Sequence, residues 1–218
     1  MEVVMAILGI TNRAENWKTA THFAPLFGHG SVRLARLLVG PDAALESGTV
    51  GLELFWRGFR DHIHRQGGSS AYKPADYAEI YGRLFPKLRE QIEEFGEFQK
   101  LTSRNYTTGD PSRLATNLWH TEIDIVLESP GHLFIGEAKH EMSFHAHSGL
   151  VLTHQLIRQY VLASILLELC GAKKEIVPFV VGGDATAIKK RAQVRFMVKQ
   201  GWLRDENVLE WGDIAALR

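Results

Sequence analysis

Residues 121–139 of the chain read TEIDIVLESPGHLFIGEAK, and this stretch decides the fold. Residues 121–127 and residues 133–139 are two short apolar runs rich in β-branched side chains, which is typical of β-strands. The segment Ser129-Pro130-Gly131 separates the two runs and predicts a turn. The sequence therefore predicts two adjacent strands with a tight connection.

Charged side chains interrupt these apolar runs, among them Asp124 in the first, and Glu137 and Lys139 at the end of the second. Side chains alternate between the two faces of a strand, so Glu137 and Lys139 point the same way and Ala138 points away. We therefore expect two carboxylates and a lysine to meet where the strands lie side by side. This trio suits metal-assisted hydrolysis of a phosphodiester.

The chemistry of that reaction explains the residue types. Mg²⁺ prefers oxygen ligands and keeps several waters, so two carboxylates and one backbone carbonyl would hold it and leave positions open. The metal activates bound water and offsets the charge that develops on phosphorus. A lysine beside that water can orient it, stabilise the anionic transition state or act as a general base.

The pattern Asp124…Glu137-x-Lys139 resembles the PD-(D/E)XK phosphodiesterase superfamily, whose members have the restriction endonuclease-like fold. The resemblance covers residues 70–215, and Ile123 stands where that superfamily often has a proline. It implies that Asp124 and Glu137 are metal ligands, together with the backbone carbonyl of Ala138, and that Lys139 is the catalytic lysine. The implied cofactor is Mg²⁺ or Mn²⁺.

The resemblance also implies a fold. We expect an α/β protein with an α-β-β-β-α-β core and a mixed central sheet at residues 69–218, and a helical N-terminal region at residues 1–68 packed on it. Apolar periodicity, Gly and Pro predict the other elements. These are a helix capped by Ser31 and ending near Leu38, and helices over 50–64, 74–95 (kinked at Pro86), 150–169 and 187–201. Strands are predicted over 97–105 and 176–181, and residues 209–213 predict a last short strand that leads into a helix.

The predicted helix over 150–169 carries Gln155 and Gln159, which are four residues apart and share a face, with Arg158 beside them. In the superfamily a glutamine or basic residue on this helix often faces the active site or the DNA. Gln155 is the first candidate for that role and Arg158 the second. The alternative is a polar stripe that lies outside the packed face.

Other polar residues near the motif leave alternatives open. Glu122 and His120 share a strand face with Asp124, so Glu122 could be a further ligand or a solvated residue. An upstream glutamate often joins such a site, and Glu53 and Glu79 are equal candidates. The histidines that follow the motif could line a polar loop or bind a transition metal: His140, His145 and His147.

Bulk properties agree with a cytoplasmic enzyme. The chain has 218 residues, 45% of them hydrophobic, which is enough for a substantial core. Its single cysteine, Cys170, excludes an internal disulfide framework, and we expect it to be a buried structural thiol. Polar residues interrupt the apolar run over 151–169, so we expect a core helix and no membrane span.

The formal net charge is zero, so any surface for nucleic acid must be local. Lys190, Arg191 and Arg195 recur at helical spacing and predict one basic face, either for phosphates or as a solvated surface. A second strip could also contact phosphate, unless its arginines pair with Glu53 and Asp61; it comprises Arg57, Arg60, His62, His64 and Arg65.

These observations predict a metal-dependent nuclease, an endonuclease that cleaves DNA by one-step attack of an activated water. The sequence does not distinguish DNA from RNA. A homodimer would suit two-strand cleavage, and a protein partner could supply specificity. One alternative is a catalytically inactive or partner-dependent nucleic-acid-binding scaffold on the same fold. Another is a protein-interaction module whose partner docks on the aromatic N-terminal region.

Overall fold

The computed structural model describes residues 6–7, 10–11, 14–40, 50–98, 101–140, 144, 146 and 149–218. The helices are α1 (Ala14–Phe23), α2 (His29–Val39), α3 (Gly58–Arg65), α4 (Pro74–Leu84), α5 (Leu88–Phe95), α6 (Pro111–His120), α7 (Gln155–Leu169), α8 (Ala185–Lys189), α9 (Ala192–Lys199) and α10 (Trp211–Ala215). The strands are β1 (Ala6–Ile7), β2 (Ile10–Thr11), β3 (Gly51–Trp56), β4 (Ile123–Glu128), β5 (His132–Ala138), β6 (Glu175–Gly182) and β7 (Val208–Glu210). Within these ranges, no helix is both long enough and apolar enough to span a bilayer.

The main sheet has five strands in the order β3-β4-β5-β6-β7. β4 runs antiparallel to both of its neighbours, whereas β5, β6 and β7 are parallel to one another. The protein is therefore an α/β protein with a mixed sheet. The two strands predicted around the motif are confirmed, and the amide of Ser129 donates to the carbonyl of His132 at 3.0 Å to close the predicted turn.

Helices cover both faces of this sheet, because alternate side chains of the central strands are apolar on both sides. On one face Leu133 and Ile135 of β5 belong to a cluster with apolar residues of α3 to α9. On the other face Phe134 and Ala138 pack with residues of α1, α2 and α10. The sheet is thus the middle layer, and Glu137 and Lys139 project toward α7.

The helix predicted over 50–64 is wrong, since residues 51–56 form the edge strand β3 and only α3 is helical. β3 pairs with β4, whose residues lie far along the chain, so no local pattern reveals the pairing. The chain turns sharply after β3, where the Trp56 indole covers Gly58 so closely that a Cβ there would lie 2.1 Å from it. The N-terminal region therefore contributes a strand to the sheet, and the sheet spans the boundary predicted at residue 68.

Three further expectations need correction. Ser31 lies inside α2 instead of capping it, and its hydroxyl donates to the Val50 carbonyl at 2.9 Å. Among the described residues of 97–105 no strand forms, because the side chain of Asn105 accepts hydrogen bonds from the amide and hydroxyl of Thr102 and shapes a turn. The helix predicted over 187–201 is divided into α8 and α9. By contrast, the chain does break at Pro86, between α4 and α5.

The expectation that Cys170 is buried is wrong, because its side chain is exposed. At the end of α7 the side chains of Glu168 and Cys170 face solvent, and Glu168 pairs with Arg83 at 2.6 Å. The Cys170 thiol lies 3.7 Å from Nδ1 of His62 on α3. The apolar pattern of α7 therefore does not extend to its last residues.

Close packing at the sheet centre yields a prediction. A Cβ added at Gly136 would lie 2.2 Å from the ring of Phe179, which is itself buried. We expect Gly136→Ala to lower the free energy of unfolding by about 1–3 kcal/mol, because the ring has no free space to move into. Urea denaturation measures the change.

The control is Gly131→Ala in the β4–β5 turn, where an added Cβ meets nothing within 4 Å, and it should stay within about 0.5 kcal/mol of the wild type. The double variant Gly136→Ala/Phe179→Leu should regain part of the loss. An unfolding midpoint of Gly136→Ala equal to that of the wild type would show that the ring accommodates the methyl group.

Candidate active site

The register of β4 and β5 brings the two predicted acids together. The β4–β5 ladder ends at the pair Ile125–Gly136, so Asp124 and Glu137 are the residues that directly follow this pair on the two strands. Oδ2 of Asp124 also accepts a hydrogen bond of 2.9 Å from the amide of Ala138.

Lys139 lies directly against Glu137. Its Nζ is 2.5 Å from Oε1 of Glu137, and the side chains of the two residues are only 2% and 1% exposed. The amide of Lys139 donates to the carbonyl of Val181 at 2.8 Å, so β6 fixes the backbone at this point. The ammonium group also lies 5.5 Å from the centre of the Phe144 ring. The pair is therefore an ion pair largely removed from water.

Two glutamines of α7 complete the arrangement. Nε2 of Gln155 donates to Oε1 of Glu137 at 2.6 Å, and Oε1 of Gln155 accepts from Nζ of Lys139 at 3.2 Å. Nε2 of Gln159 donates to Oε2 of Glu137 at 2.6 Å and to the carbonyl of Glu122 at 3.1 Å. We call Glu137, Lys139, Gln155 and Gln159 the Glu137 network. Gln159 was not among the predicted site residues, although its spacing of four residues from Gln155 was the available signal.

The side chain of Arg158 does not contact Glu137 as those of Gln155 and Gln159 do. Its guanidinium donates to the carbonyl of Leu152 at 3.1 Å, so it supports the segment that leads into the helix. Burial lowers the pKa of Arg158, and electrostatic interactions with Tyr106 and Glu137 partly oppose that shift. Arg158 is thus a structural neighbour of the Glu137 network, and Gln155 is the residue that contacts it.

The other acids near the motif have separate positions. Glu122 forms an ion pair with Nε of Arg57 at 2.8 Å, so Arg57 does not pair with Glu53 as one alternative had it. Glu53 is exposed on β3 opposite Val126, and Glu79 is exposed on α4. The geometry therefore places Asp124 beside Glu137 and adds neither upstream glutamate.

Buried polar side chains from other elements fix the start of α7. Oδ1 of Asn117 accepts from the amide of Leu152 at 3.0 Å, and Oε1 of Gln193 accepts from the amide of Leu156 at 3.1 Å. The Tyr106 hydroxyl and Nδ1 of His154 are 2.7 Å apart in a buried hydrogen bond. Burial, followed by the charge of Arg158, lowers the pKa of His154 to about 4. These contacts hold Gln155 at a fixed distance from the sheet.

The chemistry of the donor set can be compared with the implied cofactor. The candidate ligands are the carboxylates of Asp124 and Glu137 and the carbonyl of Ala138, all oxygen donors of the kind that Mg²⁺ and Mn²⁺ prefer. In the part of the chain that the structure describes, no group of three or more His, Cys, Asp or Glu side chains could hold a metal. The donor set thus matches a hard cation in the type of its atoms, and it offers two carboxylates and one carbonyl. His145 and His147 lie outside the described residues.

The predicted basic face is interrupted. α8 ends at Lys189 and α9 begins at Ala192, so Lys190 and Arg191 lie in the connection between them. Lys189 pairs with Asp205 at 2.8 Å, and Arg195 pairs with Glu97. The prediction of one continuous helical face is therefore wrong. In the second strip Arg60 pairs with Asp61 at 3.3 Å, as one alternative expected.

Comparison of the chain with protein-family models, curated proteins and solved structures finds no match in any of the three. What the fold and the site define is an α/β protein whose mixed sheet carries a buried carboxylate–lysine pair. Its function must be argued from the chemistry of that site.

The Glu137 network generates a stability prediction. Gln159→Met keeps the length of the side chain but leaves Oε2 of Glu137 and the Glu122 carbonyl without this donor. We expect the free energy of unfolding to fall by about 1–3 kcal/mol, because a buried acceptor loses its hydrogen bond. Urea denaturation of the exposed counterpart Gln66→Met serves as the control and should show almost no change. Equal stabilities for both variants would contradict the role given to Gln159.

The buried His154 predicts a pH dependence. Its pKa is about 4 in the folded protein against 6.5 unfolded, so its contribution to stability is complete above pH 6.5. As the pH falls from 6.5 toward 4, the unfolded state takes up the proton first, and up to about 3 kcal/mol of stability is lost. His154→Phe keeps a ring against Phe98 but cannot titrate.

The measurement is the difference in unfolding free energy between wild type and His154→Phe across this pH range. We expect the wild type to lose stability relative to His154→Phe as the pH falls from 6.5 toward 4. A difference that stays constant would mean that His154 titrates equally in both states.

Proposed function

We propose that this protein is a metal-dependent nuclease that hydrolyses phosphodiester bonds of DNA, acting as an endonuclease. The observation that carries the proposal is the convergence of Asp124, Glu137 and Lys139 at one end of the β4–β5 hairpin. A buried carboxylate and lysine at a sheet centre are costly compared with the apolar residues that usually occupy such positions. A catalytic role accounts for their presence, because each group has a task in phosphate hydrolysis.

The order of the elements supports the proposed relation to the restriction endonuclease-like fold. α2, β3, β4, β5, α7 and β6 follow the order α-β-β-β-α-β, with α3 to α6 inserted between β3 and β4. Both acids lie on the second and third strands of this series, and the lysine follows directly after the third. The glutamines lie on the helix that comes next.

Each side chain of the site has a separate role in the proposed reaction. Asp124, Glu137 and the carbonyl of Ala138 would hold Mg²⁺ or Mn²⁺. When bound, the cation would activate water and offset the charge that develops on the phosphate. Lys139 donates to the attacking water or to a phosphate oxygen and stabilises the negative charge of the transition state. Gln155 orients the ammonium group of Lys139, and Gln159 holds the carboxylate of Glu137.

A second candidate is a nucleic-acid-binding scaffold without catalysis, and the saturation of Glu137 favours it. Both of its carboxylate oxygens accept short hydrogen bonds from side chains of α7, and one also contacts Lys139. Such a network can serve as a structural link between sheet and helix. The two candidate functions predict different effects of metal on the thermal stability of the protein.

Cleavage of plasmid and of single-stranded DNA in Mg²⁺ and in Mn²⁺ tests the proposal. We expect the wild type to cleave, and Asp124→Asn and Lys139→Met each to lose on the order of a hundredfold or more in rate, because each removes a group that acts in the transition state. Glu128→Gln changes an exposed acid at the other end of β4 and should cleave like the wild type. Cleavage that persists unchanged in both site variants would refute the assignment.

Thermal unfolding with and without metal separates the two candidates. The nuclease binds metal in its folded state, so Mg²⁺ or Mn²⁺ should raise the Tm of the wild type and of Lys139→Met but not of Asp124→Asn. A scaffold held together by the Glu137 network should show no shift with metal in any of the three. Equal loss of the shift in Lys139→Met and Asp124→Asn would contradict the separate roles of ligand and catalytic lysine.

A further inference from the structure

A cavity lies at the end of α6, the helix that precedes β4 in the chain. It measures about 430 Å³ and lies between the end of α3, the short 3₁₀ turn at Gly68–Ala71 and the end of α6. Its walls are mainly aromatic, with Trp119, Tyr72 and His64, and its rim carries the hydroxyl groups of Ser69 and Thr116. The roles given above to the Glu137 network use none of these residues.

The aromatic rings that line this cavity contact one another edge to face. The indole of Trp119 contacts the ring of Tyr72 at 5.9 Å and 89°, and the ring of His64 at 5.4 Å and 62°. Neither contact is a parallel stack, and the indole has no parallel ring partner among the described residues. Trp119 lines the cavity and is partly exposed, so a planar heteroaromatic ring that enters the cavity can contact the indole.

A short stretch of chain separates the cavity from the candidate active site, and this limits the distance between them. His120, which also lines the cavity, precedes Asp124 by only four residues. Four residues of fully extended chain span at most about 14 Å. A strand with a phosphate at Asp124 and Glu137 covers that distance within a few nucleotides.

Charge around the cavity also suits a nucleic acid strand. Arg65 and Lys73 directly follow the lining residues His64 and Tyr72 and are exposed. Neither forms an ion pair within the described part of the chain, whereas the nearby acids Asp61 and Glu122 are neutralised by arginines. Asp76 is a further exposed acid, three residues after Lys73, so Arg65 and Lys73 leave a small positive excess at this edge, which attracts phosphate groups.

We propose that the cavity at Trp119 binds an unpaired nucleobase of the strand whose phosphate lies at Asp124 and Glu137. The inference rests on the proposed nuclease function and makes its substrate more specific. Bases inside a duplex are stacked and paired, so they reach such a cavity only after they are unstacked. The preferred substrate is therefore a single strand, or a duplex with a frayed or unpaired end.

Binding measured without cleavage tests this proposal. The full-length protein is kept in EDTA at constant salt and titrated with three probes of equal length: a single-stranded DNA, its blunt duplex and a single strand with abasic sites. We expect the single strand to quench tryptophan fluorescence and to bind about tenfold more tightly than the abasic strand, because stacking of a base on an aromatic side chain is lost. The duplex should cause little quenching.

Matched variants assign the effect to the cavity. Thr116 is exposed on α6, so Thr116→Glu places a negative charge at the rim without disturbing the core, and Thr116→Gln is its uncharged counterpart. We expect about tenfold weaker binding of the single strand by Thr116→Glu and nearly unchanged binding by Thr116→Gln. Trp119→Phe should lose the quenching, whereas Trp17→Phe, which alters an exposed tryptophan on α1, should keep it.

The outcomes separate this proposal from the proposed function. Equal binding of the normal and abasic strands, or equal quenching by Trp119→Phe and the wild type, would overturn the cavity proposal even if cleavage depends on Asp124. Base-dependent quenching that is lost in Trp119→Phe would support it even if the protein cleaves no DNA. In that case the cavity would belong to a binding protein, and the nuclease function would fail alone.

Discussion

The buried carboxylate of Glu137 is the constraint on which the arrangement of sheet and helix depends. Removing a carboxylate from water costs several kcal/mol unless a counter-charge and hydrogen bonds compensate. Here the counter-charge comes from Lys139, two residues further along the chain and just past the end of β5, and the hydrogen bonds come from Gln155 and Gln159 on α7. Because both glutamines must face one carboxylate, the rotation of α7 about its axis is determined by polar contacts as well as by apolar packing.

The same requirement extends outward from the network. Gln155 can reach Glu137 only if the first turn of α7 has a fixed position. The side chains that fix it by hydrogen bonds come from α6, α9 and the loop at Tyr106. Each of these is a buried polar side chain whose partner lies in the segment leading into α7 or in its first turn. Buried polar groups of this kind add little net stability when satisfied and cost much when they are not, so they select one packing arrangement over its neighbours. The candidate site therefore depends on residues that never approach a substrate.

This dependence explains what could be predicted from the sequence. β4 and β5 were predictable, since their apolar runs and the turn between them are local signals, and the pairing follows from adjacency. The common face of Gln155 and Gln159 was predictable from helical spacing. β3 was missed because its partner β4 is distant in sequence, and the break between α8 and α9 was missed because no Gly or Pro marks it. Which distant polar side chains support α7 could not be read from any local pattern, since tertiary packing alone brings Asn117 and Gln193 to it.

The backbone of the sheet is irregular on both sides of Asp124. On β3, Leu54 pairs with Ile125 and Trp56 with Ile123, so Phe55 lies opposite Asp124, and its φ of 56° falls in the left-handed region. A bulky residue there costs about 1–3 kcal/mol, which the ladder pairs on either side must offset. On the other side of β4, the carboxylate of Asp124, in place of a backbone carbonyl, accepts the hydrogen bond of the Ala138 amide. The regular ladder is thus interrupted on both sides of one acid, beside the carboxylate of Glu137. Such strain persists where the surroundings enforce it, and at Phe55 the flanking pairs Leu54–Ile125 and Trp56–Ile123 hold the backbone on both sides of the strained residue.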